Sequence, residues 1–463
     1  MSAAPKQPRV VSGLGLGAGP SLRGKLPRVI GLDPRTYDRA LSCVRCGLCL
    51  PACPTYTQDG LEADSPRGRI ALMKGLADGR IDASHVVLRH LDLCLDCRAC
   101  ETACPSGVIY HELIEETRER LFPQRRPGKV DRLIRAFNLH VLAFPQRLKW
   151  ALLPVRVLQK LGLWGLLCRV KLSSPKLDKM RRMLPRHGPL WERRLEEAYP
   201  PQRPEGPRNL AVGYFAGCVS SVLEQEVNRQ AIALLCRTGC QVIVPRAQGC
   251  CGAIHYHAGG AEQARVLARA NLDAFLPVGA GSAATPPPRY IVTGVAGCGA
   301  MLKDYAHLLR DDPEQAARAA SFVHRVRDIS QALVELRLPR PEHRLEIKAT
   351  YHDACHLAHA QGVTDAPRQL LAMIPGLELI PLPESDMCCG AAGTYNLQEP
   401  EMARELALRK LRQIQATGAQ VVIAANIGCA MQIRSEAQRL GVDLEVVHPV
   451  TLLYRAVFGP DAG

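Results

Sequence analysis

Long apolar segments are missing from this chain. No run of about 18 uninterrupted apolar residues occurs in its 463 positions, so no membrane-spanning helix is expected. The first 25 residues carry scattered basic side chains but lack the continuous apolar stretch and the small-residue cleavage site of an export signal. We therefore expect a cytoplasmic protein whose cysteines stay reduced.

The chain also lacks the sequence motifs of two functional classes, the enzymes that bind flavin or abstract a hydride and the nucleic-acid-binding proteins. There is no flavin-binding motif, no convincing site for hydride abstraction and no common nucleic-acid-binding motif. Charged residues make up 22% of the chain and the hydrophobic class 47%, which is ordinary for a folded soluble protein. The length allows about three domains. The net charge of +15 requires that an acidic partner, a nucleic acid or an anionic membrane surface be considered.

Most of the excess positive charge lies in residues 121–208, which hold 20 Lys plus Arg against 6 Asp plus Glu and all three tryptophans. Parts of this segment mix apolar residues with spaced bases, as amphipathic helices at a membrane interface do, although Pro145 and Pro154 are expected to interrupt them. A connector packed on its own domains explains the pattern equally well. A zinc-stabilised nucleic-acid-binding protein is disfavoured, because the charge clusters in one tryptophan-containing segment that suits docking better.

Cysteine is the most informative residue type. Of the 19 cysteines, 16 fall in short recurrent motifs, which in a cytosolic protein favours metal ligation over disulfides. The first motif is Cys43-x2-Cys46-x2-Cys49-x3-Cys53 and the second is Cys94-x2-Cys97-x2-Cys100-x3-Cys104, each followed by proline. Between them, Ser65 and Ser84 have the pattern of helix N-caps.

This spacing is typical of proteins that hold two [4Fe-4S] clusters. Three thiolates on a tight loop bind three irons of one cubane, and the fourth cysteine completes the other cluster. Zinc sites usually pair two short C-x2-C elements instead. The predicted ligands of cluster 1 are Cys43, Cys46, Cys49 and Cys104. The predicted ligands of cluster 2 are Cys94, Cys97, Cys100 and Cys53. Nearby Arg67, Arg69, Arg98 and His111 could donate to cluster sulfurs, although a structural role is favoured for each.

From residue 209 onward the chain repeats itself. Each copy alternates apolar, strand-like runs with helical stretches, and the equivalent cysteines are spaced by about 135 residues, which indicates an internal duplication. Such alternation predicts two α/β units with mostly parallel sheets. Adjacent cysteines rarely meet disulfide geometry, so the Cys250-Cys251 and Cys388-Cys389 pairs suit a metal.

Each copy brings four cysteines to the carboxyl ends of its strands, where ligand sites of α/β sheets form. The first set is Cys218, Cys250, Cys251 and Cys298, and the second is Cys355, Cys388, Cys389 and Cys429. A further iron–sulfur cluster, a zinc ion and an empty structural site are the alternatives. Four histidines could supplement these ligands: His255, His257, His352 and His356. The remaining cysteines, Cys168, Cys236 and Cys240, are expected to be buried and inert.

The paired-cysteine repeats resemble the cysteine-rich CCG domain of heterodisulfide reductases and of iron–sulfur subunits of flavoprotein dehydrogenases. The family pattern commonly ends in C-x-x-C, where this chain has Met301 and Gln432 in place of the last cysteine. The whole chain from about 36 to 455 resembles the iron–sulfur subunits of glycolate dehydrogenases (glycolate oxidases). The segments that carry this resemblance include Cys53-Pro-Thr-Tyr56, Ser65-Pro-Arg-Gly-Arg-Ile70, Gly249-Cys-Cys-Gly-Ala253, Cys388-Cys-Gly-Ala-Ala-Gly-Thr-Tyr395 and Ala425-Asn-Ile-Gly-Cys429.

The resemblance implies an electron-transfer subunit without catalytic residues of its own. FAD-binding partner subunits would oxidise glycolate to glyoxylate, and this chain would pass the electrons to a quinone or another acceptor, with the complex held loosely at the cytoplasmic face of the inner membrane. Equivalent subunits for D-lactate or glycerol 3-phosphate, and a heterodisulfide-reductase-like protein, are the alternatives. The expected partners do not include nucleic acid.

The predicted architecture is a multidomain chain of mixed α+β and α/β class. Its parts are a flexible tail (1–35), a helical two-[4Fe-4S] ferredoxin-type domain (36–120), a basic helical connector (121–208), a first CCG repeat (209–335) and a second CCG repeat (345–455).

Overall fold

A computed structural model describes residues 30–122, 128–169, 175–184, 194–202, 210–277 and 287–460 of the protein. For residues 167–169 and 175–178 it describes the backbone alone. The predicted tail up to residue 29 lies outside these residues. Within them, Ile30 is buried and helix α1 begins at Pro34 after an Asp33 cap, so ordered structure starts before residue 36.

The helices of the described residues fall into three groups. The first group is α1 (Pro34–Leu41), α2 (Pro54–Asp59), α3 (Pro66–Ala77), α4 (His85–Asp92), α5 (Ala99–Thr102), α6 (Tyr110–Leu121), α7 (Lys129–Phe137), α8 (Pro145–Lys160), α9 (Trp164–Arg169) and α10 (Pro175–Met183). The second is α11 (Ser220–Leu223), α12 (Gln225–Arg237), α13 (Ala253–Tyr256), α14 (Ala261–Phe275), α15 (Ala296–Lys303), α16 (Tyr305–Leu308), α17 (Ala316–Arg325) and α18 (Ile329–Glu335). The third is α19 (Cys355–Ala358), α20 (Asp365–Leu371), α21 (Tyr395–Gln398), α22 (Pro400–Ala416), α23 (Ile427–Leu440) and α24 (Pro449–Phe458).

The strands of the described residues form two sheets. They are β1 (Ala198–Tyr199), β2 (Ala211–Tyr214), β3 (Gln241–Ile243), β4 (Tyr290–Thr293) and β5 (Val326–Asp328), then β6 (Ile347–His352), β7 (Leu377–Ile380), β8 (Val421–Ala424) and β9 (Glu445–Val447). The first sheet has the order β1-β3-β2-β4-β5 and the second β7-β6-β8-β9. All described pairings are parallel except that of β1 with β3, so both repeats are the mostly parallel α/β units that the sequence predicts.

The N-terminal helices surround the ferredoxin-type motifs. Ser65 accepts a hydrogen bond from the Gly68 amide and Ser84 from the Val87 amide, so both predicted N-caps are confirmed. The apolar faces of α3, α4 and α6 meet in one buried core that includes Met73, Leu91 and Leu113. Cys94 is part of this core, which holds the second cysteine motif in place.

The two repeats share one apolar core. Residues of the first sheet, such as Val212 and Val292, belong to the same buried cluster as Ala349 and Ile423 of the second sheet. Helix α12 packs on α24, and α18 packs on α20, which joins the repeats along their lengths. The duplicated unit is therefore a single packed body.

The basic connector differs from its prediction in one respect. Pro154 does not interrupt the helix: it lies inside α8, which runs without a break from Pro145 at its first turn to Lys160. Proline at the first helical turn is favourable, as seen for Pro145. The Pro154 position is tolerated in the helix despite the missing amide donor. Helix α8 packs through Leu148 and Leu152 against Val222 of the first repeat. No helix of the described residues is both long and apolar enough to cross a membrane.

Candidate metal centres

The cysteines predicted to bind cluster 2 meet around one cavity. Cys53 from the first motif and Cys94, Cys97 and Cys100 from the second all line it, with about 320 Å³ of space between atoms that is partly open to solvent. The fourth cysteine of one motif thus joins three of the other, as the exchange of ligands between two clusters requires.

Polar groups in this cavity point at the sulfurs. Arg69, which is 1% exposed, places Nη1 4.0 Å from Cys53 Sγ, and the Tyr110 hydroxyl donates to Cys94 Sγ at 3.6 Å. The Asp96 amide donates to the same sulfur at 3.4 Å. A buried cation and two donors beside thiolates suit an anionic cluster, so this donor set fits a [4Fe-4S] group.

Burial makes these thiols poor acids on their own. It raises the pKa of Cys97 well above the usual value, and the neighbouring Cys355 thiol raises it further. Burial likewise raises the pKa of Cys100, with Cys97 and Cys94 adding to the effect. Buried thiolates in such a group need a metal cation to balance their charge.

The cysteines predicted to bind cluster 1 lie closer to the surface. Cys46 is exposed, while Cys43 and Cys104 pack against the same apolar core as Cys94. Burial raises the pKa of Cys49, and the nearby Cys43 thiol adds to the effect. The Val108 amide donates to Cys104 Sγ at 3.4 Å. Cys43 therefore lies close to Cys49, and Cys104 packs on the apolar core of the N-terminal helices. Cys46 lies at the protein surface.

The two motif loops share a backbone feature that sequence patterns did not reveal. Arg45 and Asp96, each two residues after the first cysteine of its motif, have φ of 57° and 53°. Gly47 and Arg98, each after the second cysteine, have φ of 88° and 62°. Left-handed backbone is rare for residues other than glycine, and it costs conformational energy. Its repetition at matching positions indicates that both loops are bent in the same way.

The first repeat brings its four cysteines together. Cys218 Sγ lies 3.5 Å from Cys250 Sγ. Hydrogen bonds with Cys218 and Cys251 hold the pKa of Cys250 well below the usual value, whereas those with Cys250 and Cys298 raise the pKa of Cys251. Gly252 donates its amide to Cys250 Sγ at 3.4 Å from a left-handed turn. This cluster of buried thiols is one in which a thiophilic metal would be held.

The second repeat also brings its four cysteines together. Hydrogen bonds with Cys355 and then Cys389 raise the pKa of Cys388 well above its usual value. Those with Cys388 and Cys429 hold the pKa of Cys389 well below it. Asn426 Nδ2 donates to Cys429 Sγ at 3.4 Å. Both predicted four-cysteine groups therefore exist as compact sets in the structure.

The positions of the missing family cysteines are occupied by side chains with other roles. Met301 is 1% exposed and belongs to the apolar core of the first repeat. Gln432 donates to the Ala403 carbonyl and accepts from Asn396, so its amide is fully used within the second repeat. Neither residue replaces the lost thiolate.

Two of the four histidine candidates face the ferredoxin-type domain instead of the cysteine groups. His257 Nδ1 lies 2.9 Å from Glu115 Oε1 and 3.2 Å from Asp96 Oδ2. Burial alone would lower the pKa of His257, but these two carboxylates raise it to about 9. His356 Nε2 lies 2.9 Å from the Asp96 carbonyl oxygen. These two histidines act as contacts between domains, which the sequence pattern could not distinguish from ligation.

The cysteines outside the motifs behave as predicted where the structure describes them. Cys236 and Cys240 are 2% and 0% exposed. Burial raises the pKa of Cys236 to about 12, and Cys240 Sγ donates to the Leu235 carbonyl at 3.1 Å. The side chain of Cys168 lies outside the described residues.

The second ferredoxin-type motif contacts both repeats. Arg98 forms an ion pair with Asp304 of the first repeat, with Nη1 3.1 Å from Oδ1. The Tyr395 hydroxyl of the second repeat donates to the Leu93 carbonyl at 3.1 Å. Cys97 belongs to one apolar cluster with Cys388 and has Cys355 beside it. The predicted cluster 2 site and the second four-cysteine group are therefore neighbours.

Comparisons with known proteins agree with this architecture. Residues 39–108 match the family described as "4Fe-4S dicluster domain", and residues 212–303 and 349–434 match the "Cysteine-rich domain" family, CCG. A helical two-motif domain on a duplicated four-cysteine α/β unit defines an iron–sulfur electron-transfer protein.

Similar proteins identify the family to which the chain belongs within this class of iron–sulfur proteins. The chain is 38% identical over 437 residues to a "Probable glycolate oxidase iron-sulfur subunit" of Bacillus subtilis, covering 90% of this chain and 94% of that one. It is 33% identical over 399 residues to the "Glycolate oxidase iron-sulfur subunit" of Escherichia coli, covering 85% and 89%. A "Lactate utilization protein A" of Oceanobacillus iheyensis matches 53% of this chain at 31% identity, over 96% of its own length. The chain belongs to the family of glycolate oxidase iron–sulfur subunits.

Proposed function

We propose that this subunit carries electrons from a flavin on FAD-binding partner subunits, where glycolate is oxidised to glyoxylate, towards a quinone or another acceptor. The main support is the cavity in which Cys53 joins three cysteines of the second motif. One of these three, Cys97, lies beside Cys355 of the second repeat. Two linked clusters with no separate substrate chemistry form a path for electrons. Cytoplasmic location, as expected from the reduced thiols, is part of this proposal.

The residue assignments of the proposal follow the four cysteine groups. Cys43, Cys46, Cys49 and Cys104 hold cluster 1, and Cys94, Cys97, Cys100 and Cys53 hold cluster 2. When bound, the clusters supply one-electron transfer. Arg69 and Tyr110 position and stabilise the cluster 2 thiolates through their contacts with Cys53 and Cys94. The positive charge of Arg69 and the hydrogen bond from Tyr110 favour the reduced form of the cluster. The domain limits 36–120, 121–208, 209–335 and 345–455 remain part of the proposal.

A direct experiment tests the relay. We expect that glycolate, added without oxygen to the purified complex of this chain with its flavin-binding partners, will produce the electron paramagnetic resonance signals of reduced [4Fe-4S] clusters. The isolated chain with glycolate is the control and should give no signal, because substrate chemistry lies on the partners. Flavin reduction without any cluster signal would contradict the relay.

Oxidation of lactate is the second candidate function. It is favoured by the match to a relative named for lactate utilization, although that match spans about half of this chain. The same complex should therefore be given D-lactate in a parallel measurement. Cluster reduction by glycolate but not by D-lactate supports the proposed substrate, and the reverse result assigns the chain to lactate oxidation.

The connector offers a surface for peripheral contact with anionic lipid. Seven of the fourteen exposed large apolar side chains of the described residues lie in it: Val130, Leu133, Trp150, Val157, Leu161, Leu163 and Leu166. We refer to these seven as the connector patch. Bases such as Arg132 and Lys160 lie in the same helices. Apolar side chains interspersed with bases favour binding at the headgroup region of an anionic bilayer.

Other parts of the connector pack on the protein itself. Helix α10 contacts α23 and α21 of the second repeat, and Lys179 is 8% exposed there. In this proposal the exposed side chains of residues 130–166 meet the lipid, and α10 serves as a packed connector. Trp191 lies outside the described residues.

Substitution of the connector patch tests the lipid contact. We expect the triple variant Leu133→Ser, Trp150→Ser, Leu166→Ser to bind vesicles with anionic lipid about tenfold more weakly in co-sedimentation, because less apolar area enters the interface. Val266→Ser, which changes an exposed apolar residue of the first repeat, is the control. Equal sedimentation of all three proteins would reject the lipid role.

A further inference from the structure

His352 occupies a special position in the second repeat. It is the last residue of β6, has 0% exposure and lies three residues before Cys355. Its Nδ1 lies 3.0 Å from the Ser385 carbonyl oxygen, which can only accept a hydrogen bond. Nδ1 therefore carries the proton, and Nε2 is left with a free lone pair.

That second nitrogen lacks a hydrogen-bond partner among the described residues. A buried acceptor without a partner destabilises the folded chain, because it has lost its hydrogen bond to water without gaining another. An imidazole with one nitrogen donating to a backbone carbonyl and the other unoccupied is the arrangement found in histidines that bind metals, since the first hydrogen bond fixes the tautomer and the ring orientation.

Thiols surround the imidazole. A ring nitrogen of His352, Cys389 Sγ and Cys429 Sγ all lie within 4.8 Å of one another. The imidazole and the two thiols therefore face one buried site.

The first repeat has phenylalanine at the position equivalent to this histidine. Phe215 stands three residues before Cys218, as His352 stands before Cys355, and its amide donates to the Val292 carbonyl at 2.8 Å, so it extends β2 in the same way. Phe215 is 0% exposed and packs in the apolar core beside Cys218. The two cysteine groups therefore differ at this position, which holds an imidazole in the second repeat and a phenyl ring in the first.

We propose that His352 Nε2 ligates an iron of an iron–sulfur cluster held by Cys355, Cys388, Cys389 and Cys429. The imidazole adds a fifth donor to the four cysteines of the second repeat. Gln432, which stands in place of the last family cysteine, already forms hydrogen bonds with Asn396 and Ala403. Iron is chosen over zinc because Cys355 lies beside Cys97 of the proposed cluster 2. That choice rests on the proposed electron relay, whereas ligation by His352 stands on the geometry of the repeat.

Two substitutions and a matched control test the proposal. His352→Phe copies the first repeat and should lower the iron content of the purified chain, because one ligand is lost. His352→Cys replaces nitrogen by sulfur and should retain the iron. The control is His448→Gln: His448 is also buried, but its Nε2 lies 2.8 Å from the Gly294 carbonyl oxygen and its Nδ1 accepts from the Val450 amide.

The decisive measurement is pulsed electron paramagnetic resonance of the dithionite-reduced chain, with ¹⁵N-labelled histidine to identify the coupled nitrogen. We expect a strong histidine nitrogen coupling in the unaltered chain and in His448→Gln, and its loss in His352→Cys with iron retained. A coupling that persists in His352→Cys, or zinc in place of iron in the second repeat, would overturn the proposal. Because dithionite replaces the flavin partner, this result is independent of whether glycolate reduces the clusters.

Discussion

Replacing Cys97 with serine will stop electron delivery to an external acceptor while leaving the reduction of the partner flavin by glycolate intact. Cys97 lies in the cavity with Cys53, Cys94 and Cys100 and next to Cys355. Loss of one cluster thiolate removes both the cofactor ligand and the step between the ferredoxin-type domain and the second repeat. We expect acceptor reduction to fall about 100-fold or more, because even residues that only orient metal ligands commonly affect activity 10–100-fold.

The control for this prediction is another buried cysteine. Cys236→Ser changes a thiol of similar burial that belongs to no motif, and acceptor reduction by this variant should stay near that of the unaltered complex. Flavin reduction is followed by absorbance and acceptor reduction by dye bleaching in the same sample. If Cys97→Ser transfers electrons at the normal rate, cluster 2 does not lie on the path.

Removing Asp304 will have the largest effect on stability that we expect from a single side chain outside the cysteine groups. Asp304 pairs with Arg98 at the contact between the ferredoxin-type domain and the first repeat, where the Arg98 side chain is 3% exposed and the Asp304 side chain 12%. In Asp304→Ala the guanidinium remains buried without its partner. Breaking a buried ion pair in this way costs about 3–5 kcal/mol. A lower thermal transition midpoint and faster proteolysis between the domains are the expected observations.

An exposed ion pair at the same domain contact provides the comparison. Arg35 pairs with Asp311 across these domains, but both side chains are largely exposed. Arg35→Ala should leave the transition midpoint almost unchanged, because solvent screens such pairs. Equal losses in Asp304→Ala and Arg35→Ala would show that burial of the Arg98 pair contributes nothing.

The elements most visible in the sequence were those with strong local signals. Strands β4 and β8 form from apolar, strand-like runs of the two repeats, and Ser65 and Ser84 cap their helices as expected. Strands β1, β5 and β9 were not predicted, because two or three residues carry too little alternation to be recognised and are fixed by their partners in the sheet. Pro154 shows the same limit, since tertiary packing of α8 outweighs a local helix-breaking preference.

The candidate sites were predictable to the level of cysteine groups. Spacing within a motif reflects one loop, and the exchange of a fourth ligand follows from how such loops bind a cubane, so Cys53 could be assigned to the other motif's set. Histidines were not predictable in this way. Whether His352 faces thiols depends on packing within the second repeat, and whether His257 faces carboxylates depends on packing between domains; neither leaves a periodic trace in the sequence.

The unequal exposure of the two ferredoxin-type motifs gives the proposed path a polarity. Cys46 reaches the solvent, whereas Cys97 is buried against the second repeat. A partner protein can therefore come into direct contact with the first motif at Cys46, whereas an electron that reaches Cys97 must still cross protein interior before it can leave the chain.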